Sequence, residues 1–172
     1  MHNEANVVAA WALSTVDAVV AGYGHAGVAE REVAALVLLG SHPGAGIDWL
    51  FPRLGLTQSG TVRLVDRLAE AGLVERGAAS AGRRVPLSLT RAGRQRLDQA
   101  TAARADAVAA VTTSLTVAEQ QTLARLTAKA LAGMTRDRAA ADTACRLCDW
   151  PACLRPCPVD TSVPLPPEPA EP

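Results

Sequence analysis

Aromatic residues are nearly absent from this 172-residue chain: they make up 3% of it, whereas hydrophobic residues of all kinds make up 49%. A core built from such a composition has to be aliphatic. Lysine is scarce as well, since Lys129 is the only one among 17 basic residues. The formal net charge is zero, which argues against wholesale binding to polyanions. A chain of this length suits one domain with extensions.

Signals for secretion and membrane insertion are also missing. The N-terminus has no basic run before an apolar core, as a signal peptide requires. The most apolar stretch, residues 7–21, contains Ser14, Thr15 and Asp17, and falls short of the roughly 20 apolar residues of a membrane span. We therefore expect a cytoplasmic protein with no membrane partner.

Cysteine does not occur in the first 144 residues, and then four stand within thirteen: Cys145, Cys148, Cys153 and Cys157. Cytoplasmic thiols stay reduced, so the cluster favours metal ligands or a redox site over structural disulfides. Four thiolates satisfy a tetrahedral Zn²⁺, and C-x2-C is its usual half-site. The spacing predicts a single four-cysteine knuckle over residues 145–158.

Other interpretations of the cluster stay open. The closing C-x3-C-P also matches ferredoxin-type iron–sulfur runs, although the middle spacing differs. Arg146 and Arg155 would lower the pKa of nearby thiols, which suits a metal and also suits oxidation. Zn²⁺, an iron–sulfur cluster, reversible disulfides and no role at all are four alternatives. The position after the last long helix indicates that the cluster acts on a dimer interface or merely caps that helix.

Hydrophobic periodicity predicts the helices of the first half of the chain. One spans about residues 6–21 and ends at Gly22 and Gly24; another spans about 28–40. A short element follows, limited by Pro52. The most regular helix begins at an N-cap, Thr57, and ends at Gly72. Its predicted apolar stripe is formed by Val62, Val65 and Leu68.

The second half continues with a basic hairpin over about residues 73–90, in which Pro86 confines the second strand to a sheet edge. Two long Ala-rich helices follow over about 91–142, the second with a capping box of Thr116 and Glu119. Their light apolar content predicts burial, together with the first helix, against a second copy of the chain. The Pro-rich residues 159–172 are expected to be disordered.

The order of elements predicts a mainly α chain with a small β-wing: a winged helix-turn-helix with N- and C-terminal dimerisation helices. The segment LGLTQSGTVRLVDRLAEAGLVERGAASAGRRVPLSLTRAG (54–93) resembles the MarR family of bacterial transcription regulators. It shows DRL at the end of the recognition helix, then GLVER, a wing, and LT with a Gly soon after. The resemblance covers about residues 6–135, with a DNA-reading lobe over 28–90 and dimerisation helices over 6–21 and 91–142.

The resemblance implies a homodimeric repressor that binds a pseudo-palindromic operator in double-stranded DNA and responds to a small-molecule effector, which the sequence does not identify. Ten Arg against four acidic residues between Arg53 and Arg104 provide a basic footprint. Residues near the start of the recognition helix reach base edges, and arginines at a wing tip suit a minor groove. The candidate DNA-binding residues are Thr57, Gln58, Ser59, Thr61, Arg63, Arg67, Arg83 and Arg84.

The wing departs from the family pattern, because Ala81 stands where an Asp usually helps to hold the wing. Two other classes of function compete with a DNA-binding regulator. One is a thiol or metal redox protein, such as an electron carrier, that uses the cysteines for chemistry. The other is a winged helix used only for contacts with proteins. The sequence shows no enzyme signature, so we do not expect an enzyme.

Overall fold

The computed structural model describes residues 2–78, 85–153 and 156–164. It has the predicted fold, a helical protein with one two-stranded antiparallel sheet. The elements are α1 (His2–His25), α2 (Glu30–Ser41), α3 (Ile47–Leu54), α4 (Gln58–Glu70), β1 (Val74–Arg76), β2 (Leu87–Leu89), α5 (Arg91–Val111), α6 (Val117–Ala132), α7 (Arg138–Ala144) and a 3-10 turn (Asp160–Ser162).

Helix α2 lies between two aliphatic cores, which explains why seven successive residues from Val33 to Leu39 are buried. Leu36, Leu38 and Leu39 belong to a core shared with α3, α4 and the sheet. Val33 and Val37 face the other way, toward α1 and α5. The reading lobe is therefore joined to the long helices by continuous apolar packing, the main source of stability in such folds.

Leu89, Thr90 and Gly93, which form the LT and Gly of the sequence motif, join the wing to α5. Thr90 caps α5 by accepting a hydrogen bond from the Gly93 amide at 3.0 Å, and its hydroxyl donates to the Gly72 carbonyl at 2.6 Å. The strands pair in the register Val74 with Leu89, and both residues are buried. This corner sets where the wing leaves the lobe.

Helix α1 does not end at Gly22 and Gly24, as the sequence predicted, but continues to His25. Its glycine at position 22 lies on the backbone of α5, where a side-chain carbon would stand 3.2 Å from the Ala103 carbonyl oxygen. Glycine costs about 1 kcal/mol in a helix relative to alanine. The close helix–helix contact explains why the helix nevertheless passes through it.

Much of the apolar surface of the long helices faces outward. Helix α6 has no buried residue within the described part of the chain. Helix α1 exposes Val7, Val8, Leu13 and Val16, with Leu13 at 66% exposure. Contrary to the sequence expectation, Asn3–His25 is long and apolar enough to cross a membrane, with a mean hydropathy of 1.4. Ser14, Thr15 and Asp17 are too few to make the helix polar overall.

The C-terminal region turns back onto the reading lobe. Residues 138–142, predicted as part of a dimerisation helix, instead begin the separate helix α7, which packs against α3. Asp137 starts this helix by accepting a hydrogen bond from the Ala140 amide at 2.7 Å. The tail expected to be disordered from residue 159 is ordered at its start, because Val159 and Ser162 are buried. Residues 165–172 lie outside the described part.

Candidate DNA-binding surface and cysteine cavity

Helix α4 presents its N-terminal half to solvent. Thr57 caps the helix as predicted, accepting a hydrogen bond from the Gly60 amide at 3.1 Å. The helix ends at Glu70, and Gly72 follows with a φ of +69°, a left-handed conformation that suits glycine. Five predicted DNA-binding residues are exposed on this helix and its cap: Thr57, Gln58, Ser59, Arg63 and Arg67.

Thr61 does not belong to this surface, and its assignment as a DNA contact is wrong. It is 0% exposed and lies on the buried face of α4 with Leu64, Val65 and Leu68. Of the predicted stripe, Val65 and Leu68 are buried as expected, whereas Val62 is exposed. Val62 is the apolar residue that sequence reasoning missed on the recognition face. Such a side chain suits contact with a thymine methyl group.

The arginines of this face have no ion-pair partner among the described residues. Asp66, one of the acids that could have paired with Arg63 or Arg67, forms an ion pair with Arg76 instead. Arg63 Nε donates only a long hydrogen bond, 3.4 Å, to the Ser59 carbonyl. Gln58 Nε2 donates to Asp48 Oδ1 at 3.1 Å, so α3 holds the first residue of α4.

The basic footprint is narrower than the sequence indicated. Arg53 is mostly buried beside Asp142, Arg94 donates to the Leu89 carbonyl at 2.7 Å, and Arg96 donates to the Ala26 carbonyl at 3.0 Å. These guanidinium groups hold the fold together. The predicted wing residues Arg83 and Arg84, like Ala81, lie outside the described residues.

All four cysteines line one cavity of about 350 Å³ between α7 and the residues that follow it. The Cys148 amide donates to the Cys145 carbonyl at 2.9 Å, which makes the C-x2-C segment a tight turn. The sulfurs of Cys153 and Cys157 are 3.8 Å apart. The cysteines thus form two adjacent pairs that face a common space, and none is in a disulfide.

The thiols of Cys145 and Cys148 shift each other's pKa in opposite directions. The hydrogen bond from the Cys145 thiol lowers the pKa of Cys148 to about 6, and the charge of Arg104 acts in the same direction. The pKa of Cys145 is raised by this same bond and by burial. Arg104, on α5, is therefore the cation that acts on this thiolate, whereas the sequence indicated Arg146. Arg155 lies outside the described residues.

In the described part of the chain, no three His, Cys, Asp or Glu side chains are already arranged to hold one metal ion. The two cysteine pairs would have to close together to coordinate one. Their common cavity leaves room for this movement. The residues present are soft thiolates, which suit Zn²⁺ and iron–sulfur clusters rather than Mg²⁺ or Ca²⁺.

The knuckle contacts the reading lobe. Leu147 packs against both aliphatic cores. Trp150 Nε1 donates to the Cys145 carbonyl at 2.9 Å, and its ring meets His42 edge-on at 5.1 Å. His42 in turn lies 4.5 Å from the ring of Trp49 on α3. His42 and Trp49 therefore pack between the knuckle and α3.

A second and larger cavity, about 840 Å³, lies between the reading lobe and α5. Residues of α2, β2 and α5 form most of its wall, and Trp150 and Pro151 of the knuckle close one side. Arg94, Glu75 and Asp98 are among its charged lining residues. Its lining is suited to a small molecule that is partly apolar.

Comparison with known proteins gives the following similarities. Residues 26–84 match the model of the MarR family. A MarR-family protein of Mycobacterium tuberculosis, solved with salicylic acid, is 26% identical, with a TM-score of 0.57 over 70% of this chain and 90% of its own. The structure of its complex with DNA is 24% identical, with a TM-score of 0.61 over 71% of this chain and 92% of its own. A probable transcriptional regulator of Pseudomonas aeruginosa is 29% identical, with a TM-score of 0.53 over 66% of this chain and 89% of its own. No curated protein is significantly similar in sequence.

Proposed function

We propose that the chain, whose residues 26–84 match the MarR family model, is a sequence-specific DNA-binding repressor of transcription. The exposed N-terminal half of α4 carries this proposal. A capped helix presents Gln58, Ser59 and two arginines without ion-pair partners among the described residues. Gln pairs with adenine edges and Arg with guanine edges or phosphates in the major groove. The relative solved with DNA shares this fold.

A homodimer explains the exposed apolar surface of α1 and α6. A monomer would leave Val8, Leu13 and Val16 in water. A membrane would also cover α1, but Val19 and Tyr23 of the same helix are buried against α5, which favours a helix that belongs to the folded domain. Two reading lobes related by a two-fold axis bind half-sites about one helical turn apart. The operator is then a pseudo-palindrome.

A small-molecule effector would occupy the larger cavity. The related protein was solved with salicylic acid, and a small, partly apolar molecule suits a cavity formed mainly by residues of α2, β2 and α5. A ligand here would touch both α5 and the reading lobe. It would therefore change the spacing of the two recognition helices in the dimer.

The four cysteines would make the regulator responsive to metal. About 2.3 Å separates zinc from sulfur in a tetrahedral site, so two sulfurs of one site lie about 3.8 Å apart. Cys153 and Cys157 have this separation, whereas a disulfide needs about 2.05 Å. The thiolate character of Cys148 suits the same ion. We therefore propose Zn²⁺ for the cluster, with an iron–sulfur cluster and a reversible disulfide as the alternatives that the experiment below separates.

Selection from a random duplex library tests DNA binding. The purified protein is expected to enrich a pseudo-palindromic sequence and to bind it at least about a thousandfold more tightly than unselected DNA, as specific regulators do. Failure to enrich any sequence contradicts the proposed function. An electron carrier or a protein-interaction module would give that result.

Elemental analysis of anaerobically purified protein, with an absorbance spectrum of the same sample, tests the metal. One zinc per chain without visible absorbance is the expected result. A brown sample with iron and sulfide would replace zinc by an iron–sulfur cluster. Metal-free thiols that disappear on mild oxidation would instead indicate a disulfide switch.

A further inference from the structure

We propose that the cysteine cluster controls DNA binding mainly through one buried ion pair, Arg53–Asp142, which joins α7, directly before the knuckle, to α3, the helix that supports the recognition helix. This inference rests on the proposed function. The sequence indicated that the cluster either acts on the dimer interface or merely caps the last long helix. The contacts of α7 and the knuckle point to α3 instead.

Asp142 lies at the junction of the two regions. It lines the cysteine cavity from α7, one turn before Cys145. Its Oδ2 accepts a hydrogen bond from Arg53 Nε at 2.7 Å, with the two side chains 2% and 12% exposed. Asp142 Oδ1 also lies 4.0 Å from Arg138 Nη1, but that side chain is exposed. Removing Asp142 leaves the mostly buried guanidinium of Arg53 without its ion-pair partner. The position of α7 is therefore tightly tied to that of α3.

Arg53 carries the connection through α3. Its Nη1 donates to the Trp49 carbonyl at 2.8 Å, and its guanidinium lies 4.0 Å from the centre of the Trp49 ring. The neighbouring Asp48 accepts a hydrogen bond from Gln58, the first residue of α4. A shift of α3 therefore changes the support of the N-terminal residues that face DNA.

A second set of contacts connects the knuckle to Trp49. Trp150, which lies between Cys148 and Cys153, contacts His42, and His42 contacts Trp49. Trp49 thus receives contacts from α7, through Arg53, and from the cysteine loop, through His42. Both routes depend on how the knuckle is folded.

Zinc would bias this arrangement because it binds only when the two cysteine pairs are drawn together. A ligand shifts an equilibrium by its differential affinity for the two states. With zinc bound, α7 and Trp150 are fixed, and α3 holds Gln58 for DNA contact. Without zinc, the knuckle loosens and this support weakens.

The test compares DNA affinity with and without a zinc chelator, using the duplex selected by the wild-type protein and fluorescence anisotropy. Chelation is expected to weaken wild-type binding at least about fivefold, the lower end of common allosteric couplings. Asp142→Asn is expected to retain one zinc per chain, yet to lose most of the difference in DNA affinity between the zinc-bound and the chelated protein, since only the contacts of Trp150 with His42 remain. Arg146→Gln is the matched control, because Arg146 links the knuckle to Glu30 of α2 through an exposed contact of 3.4 Å. This variant should keep the full response.

If chelation weakens DNA binding equally in the wild-type protein and in Asp142→Asn, the route through the Arg53–Asp142 ion pair is overturned. The proposed function stays intact in that case. An unresponsive wild-type protein that still binds its selected duplex would overturn the coupling itself. If Asp142→Asn fails to fold, Arg53→Lys replaces it, since lysine keeps the charge beside Asp142 but cannot also bond the Trp49 carbonyl through a second nitrogen. Arg53→Lys should then hold zinc and lose most of the response; a full response overturns the proposal.

Discussion

Gly93 lies so close to Leu73 that a side-chain carbon at position 93 would overlap the Leu73 carbonyl oxygen. This contact places the first turn of α5 directly on the chain segment that enters β1. It gives a physical reason for the Gly that follows LT in the sequence motif. The wing and the long helix are joined here without room for any larger residue.

Gly93→Ala is therefore expected to destabilise the protein, by about 1–3 kcal/mol or more, the usual cost of overpacking. Urea unfolding followed by circular dichroism measures the change. Gly24→Ala is the matched control, because a carbon at position 24 of α1 would meet nothing within 4 Å. That variant should be neutral or gain about 0.5–1 kcal/mol from helix propensity. Equal effects of the two substitutions would contradict the close contact.

The sequence predicted the order of the elements and most of their ends, because caps such as Thr57 and Thr90 and the turn at Gly72 are local signals. It placed Val65 and Leu68 correctly on the buried face of α4 but chose Val62 in place of Thr61. Both Thr61 and Val62 stand at helical spacing from Val65, and apolarity favoured Val62. The lobe instead buries Thr61, whose hydroxyl has no hydrogen-bond partner among the described residues.

The docking of the knuckle could not be predicted. Arg53 and Asp142 are 89 residues apart, and no periodicity or motif connects two positions at that distance. Arg53 was counted in a basic footprint for DNA because the sequence shows its charge but not its partner. The end of α1 was missed for a similar reason, since the contact of Gly22 with Ala103 is tertiary.

Arg63→Ala and Arg67→Ala should each weaken DNA binding and reduce the slope of log affinity against log salt by about one, the release expected for one phosphate contact. Anisotropy titrations at several salt concentrations measure this slope. Thr61→Val serves as the contrast, because Thr61 is buried and cannot reach DNA. It should leave affinity and slope unchanged. A salt slope that Arg63→Ala does not alter would remove Arg63 from the interface.

Leu13→Glu should dissociate the dimer, because a carboxylate at this exposed apolar position of α1 would be buried without a partner in the interface. Light scattering after size exclusion distinguishes the 17.8 kDa chain from twice that mass. Val85→Glu, an exposed position beside the wing, is the control and should leave the dimer intact. A wild-type protein recovered in the membrane fraction would instead show that lipid covers α1.

Zinc removal should lower the thermal stability of the wild-type protein, because the energy of metal binding contributes to folding where the site is not already formed. For a chain of this size, each kcal/mol lost lowers Tm by about 2–4 °C. Replacing all four cysteines with serine gives a clean control, since the chain has no other cysteine. The chelator should lower Tm in the wild-type protein and leave the serine variant unaffected. Equal shifts in both proteins would place the metal elsewhere, and no shift in either would mean that the knuckle folds without it.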